Sequence, residues 1–124
     1  MDETRRIAVA YVESCEQRDW AAFEALLAED VVYEMPQTRE RISGRERFVR
    51  FNREYPGEWH LSVRRVVAEG LNAVVWMAVS VGSEQVDACV WLDLSESGRI
   101  SRITDFWPEA YEPPAGREHL VERW

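Results

Sequence analysis

The chain has 124 residues, 46% hydrophobic and 31% charged, a composition typical of a folded globular protein rather than a disordered one. Its net charge of −8, with arginines scattered among glutamates, disfavours contact with a phosphate backbone, so we expect no nucleic-acid partner. No apolar run is long enough to predict a membrane span, and the N-terminus lacks a signal peptide's hydrophobic region, so a cytoplasmic location is expected.

The length predicts a single domain over residues 1–124. The two cysteines, Cys15 and Cys89, are far apart and form no CxxC motif, so we expect them to be reduced and to serve as small core residues. Two histidines without HxxxH spacing predict no metal site, and nothing in the sequence indicates a cofactor.

The first part of the chain is predicted to be helical. Apolar residues recur with i, i+3, i+4 spacing over residues 7–15, which predicts an amphipathic helix capped by Asp2 or Thr4. Asp19 is placed to cap a second helix over residues 20–28.

A short strand over residues 31–35 follows and ends at Pro36. A polar loop over residues 37–43 then leads to a third helix over residues 44–54.

The second part of the chain is predicted to be a meander of four strands, because alternating apolar segments are separated by short turns. Such short connections indicate antiparallel neighbours. The predicted strands cover residues 59–69, 73–81, 85–94 and 99–107. Helices followed by an antiparallel sheet predict an α+β domain with the helices on one sheet face. Three prolines in residues 108–124 predict an extended C-terminal tail.

The last predicted strand places a carboxylate among apolar side chains. Alternation puts Ser101, Ile103, Asp105 and Trp107 on one face. Aspartate is depleted in strands and costly to bury without a partner, so Asp105 is expected to have either a structural partner or a chemical function.

Three segments of the chain carry a family resemblance: residues 11–36 (YVESCEQRDWAAFEALLAEDVVYEMP), Ser43-Gly44-Arg45-Glu46, and residues 98–107 (GRISRITDFW). In that order, they resemble the opening, the start of the third helix and the last strand of the SnoaL-like proteins of the nuclear-transport-factor-2-like superfamily. The resemblance implies a cystatin-like cone in which three helices and a curved, mainly antiparallel sheet enclose a pocket.

The resemblance also bears on individual residues. Ketosteroid isomerases of this superfamily carry a general base just before the proline of the first strand, where this chain has Met35. Their oxyanion tyrosine is matched by Tyr11, and the acid/base aspartate of SnoaL-like cyclases is matched by Asp105. An apolar pocket would raise the pKa of this carboxyl toward the range useful for proton abstraction, with Tyr11 or His60 polarising an oxygen of the substrate.

These features predict a pocket for a small, mainly apolar organic molecule, with SnoaL-like cyclase, isomerase or hydrolase chemistry through Asp105. The aromatic lining is predicted to comprise Tyr33, Met35, Phe48, Phe51, Tyr55, Trp76 and Trp107. The alternative is a non-catalytic ligand-binding or dimerisation module. Its pocket would be filled by its own side chains, and its structural Asp105 would be paired with Arg64, Arg65 or Arg102.

The predicted strands are largely apolar on both faces, which is unusual for a small antiparallel sheet. Trp76 and Ala78 alternate with Val75 and Met77, for example. The pattern favours a homodimer formed through the outer face of the sheet, as the superfamily resemblance also implies.

Overall fold

A computed structural model describes residues 2–124, and its helices and strands occupy residues 3–106. In chain order they are α1 (Glu3–Glu16), α2 (Trp20–Ala25), β1 (Leu27–Met35), β2 (Glu40–Ser43), α3 (Arg45–Arg53), β3 (Trp59–Glu69), β4 (Asn72–Val81), β5 (Glu84–Leu94) and β6 (Ile100–Phe106). Within residues 2–124, no helix is both long enough and apolar enough to cross a membrane.

The six strands form one curved sheet in the order β2-β1-β6-β5-β4-β3. Strands β3 to β6 make an antiparallel meander, and β1 pairs with β2 as an antiparallel hairpin. Strand β1 also lies parallel to β6, which joins the two halves of the sheet. This architecture confirms the predicted α+β class with a mainly antiparallel sheet.

The helices cover one face of this sheet. Helix α1 is capped by Asp2, whose side chain accepts a hydrogen bond from the backbone N–H of Thr4, and it packs across β3 and β4. Asp19 caps α2 through the N–H of Ala22, as predicted. Helix α3 packs on β1, and the side chain of its own residue Phe48 is fully buried. The hydrophobic core therefore lies between the three helices and the inner face of the sheet.

Two local predictions were wrong. The second helix ends at Ala25 instead of continuing to residue 28, because Leu27 begins β1 and pairs with Ile100 of β6. The predicted loop over residues 37–43 contains β2, a polar edge strand without the apolar alternation by which strands are recognised.

After β6 the chain forms no further helix or strand within residues 107–124, all of which are described. Tyr111, Leu120 and Trp124 are largely exposed in this segment. Residues 108–124 therefore contain no helix or strand, while the extended tail and the single-domain boundary of residues 1–124 stay predictions.

Candidate functional site

A cavity lies between helices α1 and α3 and the inner face of the sheet. It contains about 620 Å³ of empty space when its open mouth is included. The part of this space that can hold the centre of a water molecule is much smaller, about 70 Å³, which is below the range of about 300–1,000 Å³ that is usual for small-molecule sites. Seven of the predicted site residues line it: Tyr11, Tyr33, Met35, Phe51, Tyr55, Asp105 and Trp107.

Asp105 is the buried carboxylate of this cavity, with a residue exposure of only 5%. Its Oδ2 accepts a hydrogen bond of 2.7 Å from the hydroxyl of Tyr33. The sheet accounts for this pairing, because Tyr33 is in register with Ile103 on the parallel neighbour β6 and Asp105 follows two residues later on the same face.

The second oxygen of Asp105, Oδ1, is buried and has no hydrogen-bond partner within residues 2–124. No arginine or lysine of the described chain forms a salt bridge with this carboxylate. Arg64 pairs instead with Asp87, and Arg102 pairs with Glu34. The ion pair expected of a structural Asp105 is therefore not formed.

Burial raises the pKa of the Asp105 carboxyl above its ordinary value. The N–H of Trp107 and the hydroxyl of Tyr33 oppose this rise because both favour the ionised carboxylate. The indole nitrogen of Trp107 is itself buried, and it does not reach hydrogen-bond geometry with any group of the described chain.

Two tyrosines near this carboxylate keep their protons. Burial raises the pKa of Tyr11 well above its usual value of 10.0, and the negative charge of Asp105 raises it further. The pKa of Tyr33 is raised by burial and by the same neighbour. Both hydroxyl groups therefore stay neutral near pH 7. The proton of Tyr33 is already donated to Asp105, whereas Tyr11 keeps a proton that it can donate.

Three predicted site residues lie elsewhere. His60 sits outside the cavity, where its Nδ1 lies 2.9 Å from Glu16 and its side chain is 57% exposed. Phe48 is buried in the core, stacked on Tyr33, and does not line the cavity. Trp76 is on the opposite face of the sheet and is 43% exposed. It is replaced on the inner face by the neighbouring Met77, because alternate residues of a strand point to opposite sides.

The structure adds cavity residues that the sequence analysis did not select. Cys15 and Asn52 face each other, with the thiol 4.0 Å from the Asn52 Oδ1, and burial raises the pKa of Cys15 to about 12. The thiol therefore stays protonated and poorly nucleophilic. The added apolar lining comprises Trp59, Leu61, Met77, Val79 and Val81. The helical spacing of Cys15 predicted a core position but not one bordering a cavity. The alternation of Met77 and Val79 separated them from Trp76 without showing which set faces inward.

Metal-ligating side chains do not gather at this site. Across residues 2–124, no group of three or more His, Cys, Asp or Glu side chains is arranged to hold a metal ion.

The comparisons with known proteins agree with this architecture. A family model for the SnoaL-like domain matches residues 8–103. A crystal structure from Kribbella flavida, of a protein provisionally assigned as a ketosteroid isomerase, shares 53% identity and superposes with a TM-score of 0.96. The match covers 98% of this chain and 90% of that one. A search of curated proteins found no match.

Two more distant structures share the fold. An NTF2-like protein of unknown function from Burkholderia xenovorans is 21% identical with a TM-score of 0.83, over 98% of this chain and 95% of that chain. An epoxide hydrolase of the LEH-like kind from Mycobacterium tuberculosis is 24% identical with a TM-score of 0.71, over 86% and 83% respectively.

The helices, the curved sheet and the cavity between them define an α+β cone of the NTF2-like class. Within that class, the chain belongs to the SnoaL-like family.

Proposed function

We propose that this protein binds a small, mainly apolar organic molecule in its cavity and transfers a proton on that molecule through Asp105. The proposed reaction class is a SnoaL-like cyclisation, isomerisation or hydrolysis. One observation carries the proposal: Asp105 is buried on the cavity wall with Oδ1 unpartnered among the described residues and without a salt bridge. A buried carboxylate in this state is costly, and groups of this kind cluster at functional sites.

Asp105 Oδ1 would act as the general base. It takes a proton from the carbon next to a carbonyl, the C–H bonding pair moves into the new C=C bond, and the carbonyl oxygen becomes an enolate. The raised pKa of Asp105 supports this role, because a base with a pKa closer to neutrality drives proton abstraction better than an ordinary carboxylate.

Tyr11 is the proposed donor to the developing enolate oxygen. Tyr11 lines the cavity, and its raised pKa keeps the hydroxyl proton in place. A neutral buried donor stabilises charge that forms during the reaction without itself being ionised. His60, which was the other candidate for this role, is excluded from the proposal by its position outside the cavity.

The relative from Kribbella flavida supports the isomerase form of this proposal, because it is 53% identical and provisionally assigned as a ketosteroid isomerase. Met35 cannot accept a proton, so an isomerisation in this chain would use the carboxylate of β6 as its base. Cyclisation and isomerisation both begin with the same proton abstraction and share this machinery.

Hydrogen–deuterium exchange at the carbon next to a carbonyl tests the proposal without knowledge of the natural substrate. We expect the protein to accelerate exchange into 3-cyclohexen-1-one in D2O, followed by NMR, and to convert it to the conjugated isomer. Asp105→Asn should lower the rate by about 100-fold or more, the usual contribution of a positioned general base. Styrene oxide hydrolysis, measured in parallel, tests the hydrolase form.

The matched control is His60→Gln, which alters a polar residue outside the cavity and should leave the rates unchanged. Full activity of Asp105→Asn would refute the proposed role. Binding of apolar molecules in the cavity with no turnover of any probe would instead favour the non-catalytic ligand-binding module.

A further inference from the structure

Two residues that line the cavity carry unsatisfied polar atoms of opposite kind. Asp105 Oδ1 is an acceptor and Trp107 Nε1 is a donor, and both are buried without a hydrogen-bond partner among residues 2–124. They lie two residues apart on the same side of the chain, at the end of β6. Buried polar groups are hydrogen-bonded in the large majority of cases, so a pair of such orphans in one cavity indicates missing partners.

The other cavity tryptophan shows the usual situation. Trp59 Nε1 donates to the backbone carbonyl of Tyr55 at 3.3 Å, so its N–H is already satisfied by the protein. Oδ2 of Asp105 is also satisfied, because it accepts the hydrogen bond from Tyr33. Among the fully buried side-chain nitrogen and oxygen atoms of residues 2–124, only Asp105 Oδ1 and Trp107 Nε1 have no partner. A ligand that satisfies both must offer one donor and one acceptor close together.

We propose that Trp107 and Asp105 form a hydroxyl subsite, in which the ligand's hydroxyl oxygen accepts from Trp107 Nε1 and its proton is donated to Asp105 Oδ1. A hydroxyl is the smallest organic group that combines both capacities on one atom. The surrounding side chains, such as Phe51 and Met77, are apolar and hold the carbon frame. The subsite rests on the proposed function only in using the same cavity, and it names a ligand class: an apolar compound with a single hydroxyl or enol group. Such a ligand occupies the oxygen proposed as the base, so it and a carbonyl substrate exclude each other.

Three matched fluorinated probes test this subsite by fluorine NMR titration at pH 8, a pH that favours the ionised carboxylate. 4-Fluorobenzyl alcohol carries a donor and an acceptor, its methyl ether carries an acceptor only, and 1-ethyl-4-fluorobenzene, which has the alcohol's shape, carries neither. We expect the alcohol to bind about tenfold more tightly than the hydrocarbon, with the ether close to the hydrocarbon.

Trp107→Phe should reduce this preference to about twofold or less. Trp59→Phe is the matched control, since it makes the same change in the same cavity at an N–H that the protein already uses, and it should keep the preference. In the wild-type protein, the indole N–H resonance of Trp107 should shift on addition of the alcohol and not on addition of the hydrocarbon. This measurement holds even if a variant folds poorly.

The outcomes are distinct. Equal binding of alcohol and hydrocarbon, or an unchanged preference in Trp107→Phe, overturns the hydroxyl subsite while leaving apolar binding in the cavity intact. Binding of none of the three probes overturns the subsite together with the proposed ligand cavity. Binding and preference with no catalysis in the exchange assay supports the subsite and refutes only the reaction.

Discussion

The two oxygens of Asp105 have different surroundings, and this difference determines what the residue can do. Oδ2 accepts a hydrogen bond from Tyr33, while Oδ1 is buried and has no partner among residues 2–124, on a residue that lines the cavity. Because burial raises the pKa, the ionised form that is useful in chemistry is disfavoured in the folded state. A residue kept for function in this way is expected to lower stability at neutral pH.

The Asp105→Asn variant should therefore become increasingly more stable than the wild type as the pH rises. The folded-state pKa is raised, so the native protein binds more protons than the unfolded chain between the ordinary and the raised pKa, and wild-type stability falls as pH rises through that window. The variant lacks this loss and should be more stable than wild type at pH 8 by about 1 kcal/mol, a common size for one stabilising change. Urea unfolding at several pH values measures the difference.

The control for this measurement is Asp87→Asn, which changes a half-exposed carboxylate paired with Arg64 on the outer face. It should show no gain in stability with rising pH. A wild-type protein that gained stability relative to Asp105→Asn as pH rose would contradict the prediction.

Tyr33→Phe should move the titration of Asp105 to higher pH. The Tyr33 hydroxyl donates to the ionised carboxylate and so lowers its pKa, and without this hydrogen bond the effect of burial is less opposed. Carbon-13 NMR of the Asp105 carboxyl group measures the shift directly. Tyr55→Phe is the matched control, because it removes the hydroxyl of another cavity tyrosine that makes no hydrogen bond to Asp105. An unchanged midpoint in Tyr33→Phe would show that Tyr33 does not tune this carboxyl.

At the scale of single elements, the sequence predicted the helices and the meander well because their periodicities are clear. The faces of the strands were harder to assign. In β4, Trp76 and Met77 are both apolar, so alternation separates them into two sets without showing which set is inside. Tertiary packing decides this, since α1 lies across β3 and β4 on the side of Met77. Tertiary packing also decides the position of Leu27. Its helical spacing predicted a place in the second helix, but it pairs with Ile100 in the sheet instead.

Gly44 is a point where one backbone conformation positions a whole element of the site. It joins β2 to α3 with φ 99° and ψ 140°, in a region that side-chain-bearing residues rarely adopt. Gly44→Ala should lower the free energy of unfolding by about 1–3 kcal/mol because alanine is strained in this conformation. Steric clash adds nothing to this loss, since a Cβ there would meet no atom within 4 Å. Urea unfolding measures the loss, and Ser43→Ala, one residue earlier on the exposed edge, should change it little. Equal stability of the two variants would contradict this explanation.

At the scale of the whole molecule, the site is a product of elements far apart in sequence. Tyr33 and Asp105 are 72 positions apart and meet only because β1 lies beside β6. Alternation singled out Asp105 as unusual, and family resemblance suggested its role. Neither identified Tyr33 as its partner or placed His60 outside the cavity, because both facts depend on how the sheet and α1 pack together.

The outer face of the sheet leads to a prediction about assembly. Trp76, Trp91 and Phe106 lie on this face with exposures of 43%, 49% and 41%, on three neighbouring strands in which Trp76, Cys89 and Phe106 are in register. A contiguous apolar patch of this kind is typical of an interaction surface, and we expect a second copy of the chain to cover it.

Trp91→Glu would place two charges in that interface, one from each copy, and should convert a dimer to a monomer in sedimentation velocity experiments. Tyr111→Glu, which adds the same charge in the exposed C-terminal tail, should leave the dimer intact. A wild-type protein that sediments as a monomer at high concentration would refute the dimer, and the exposed tryptophans would then need another partner.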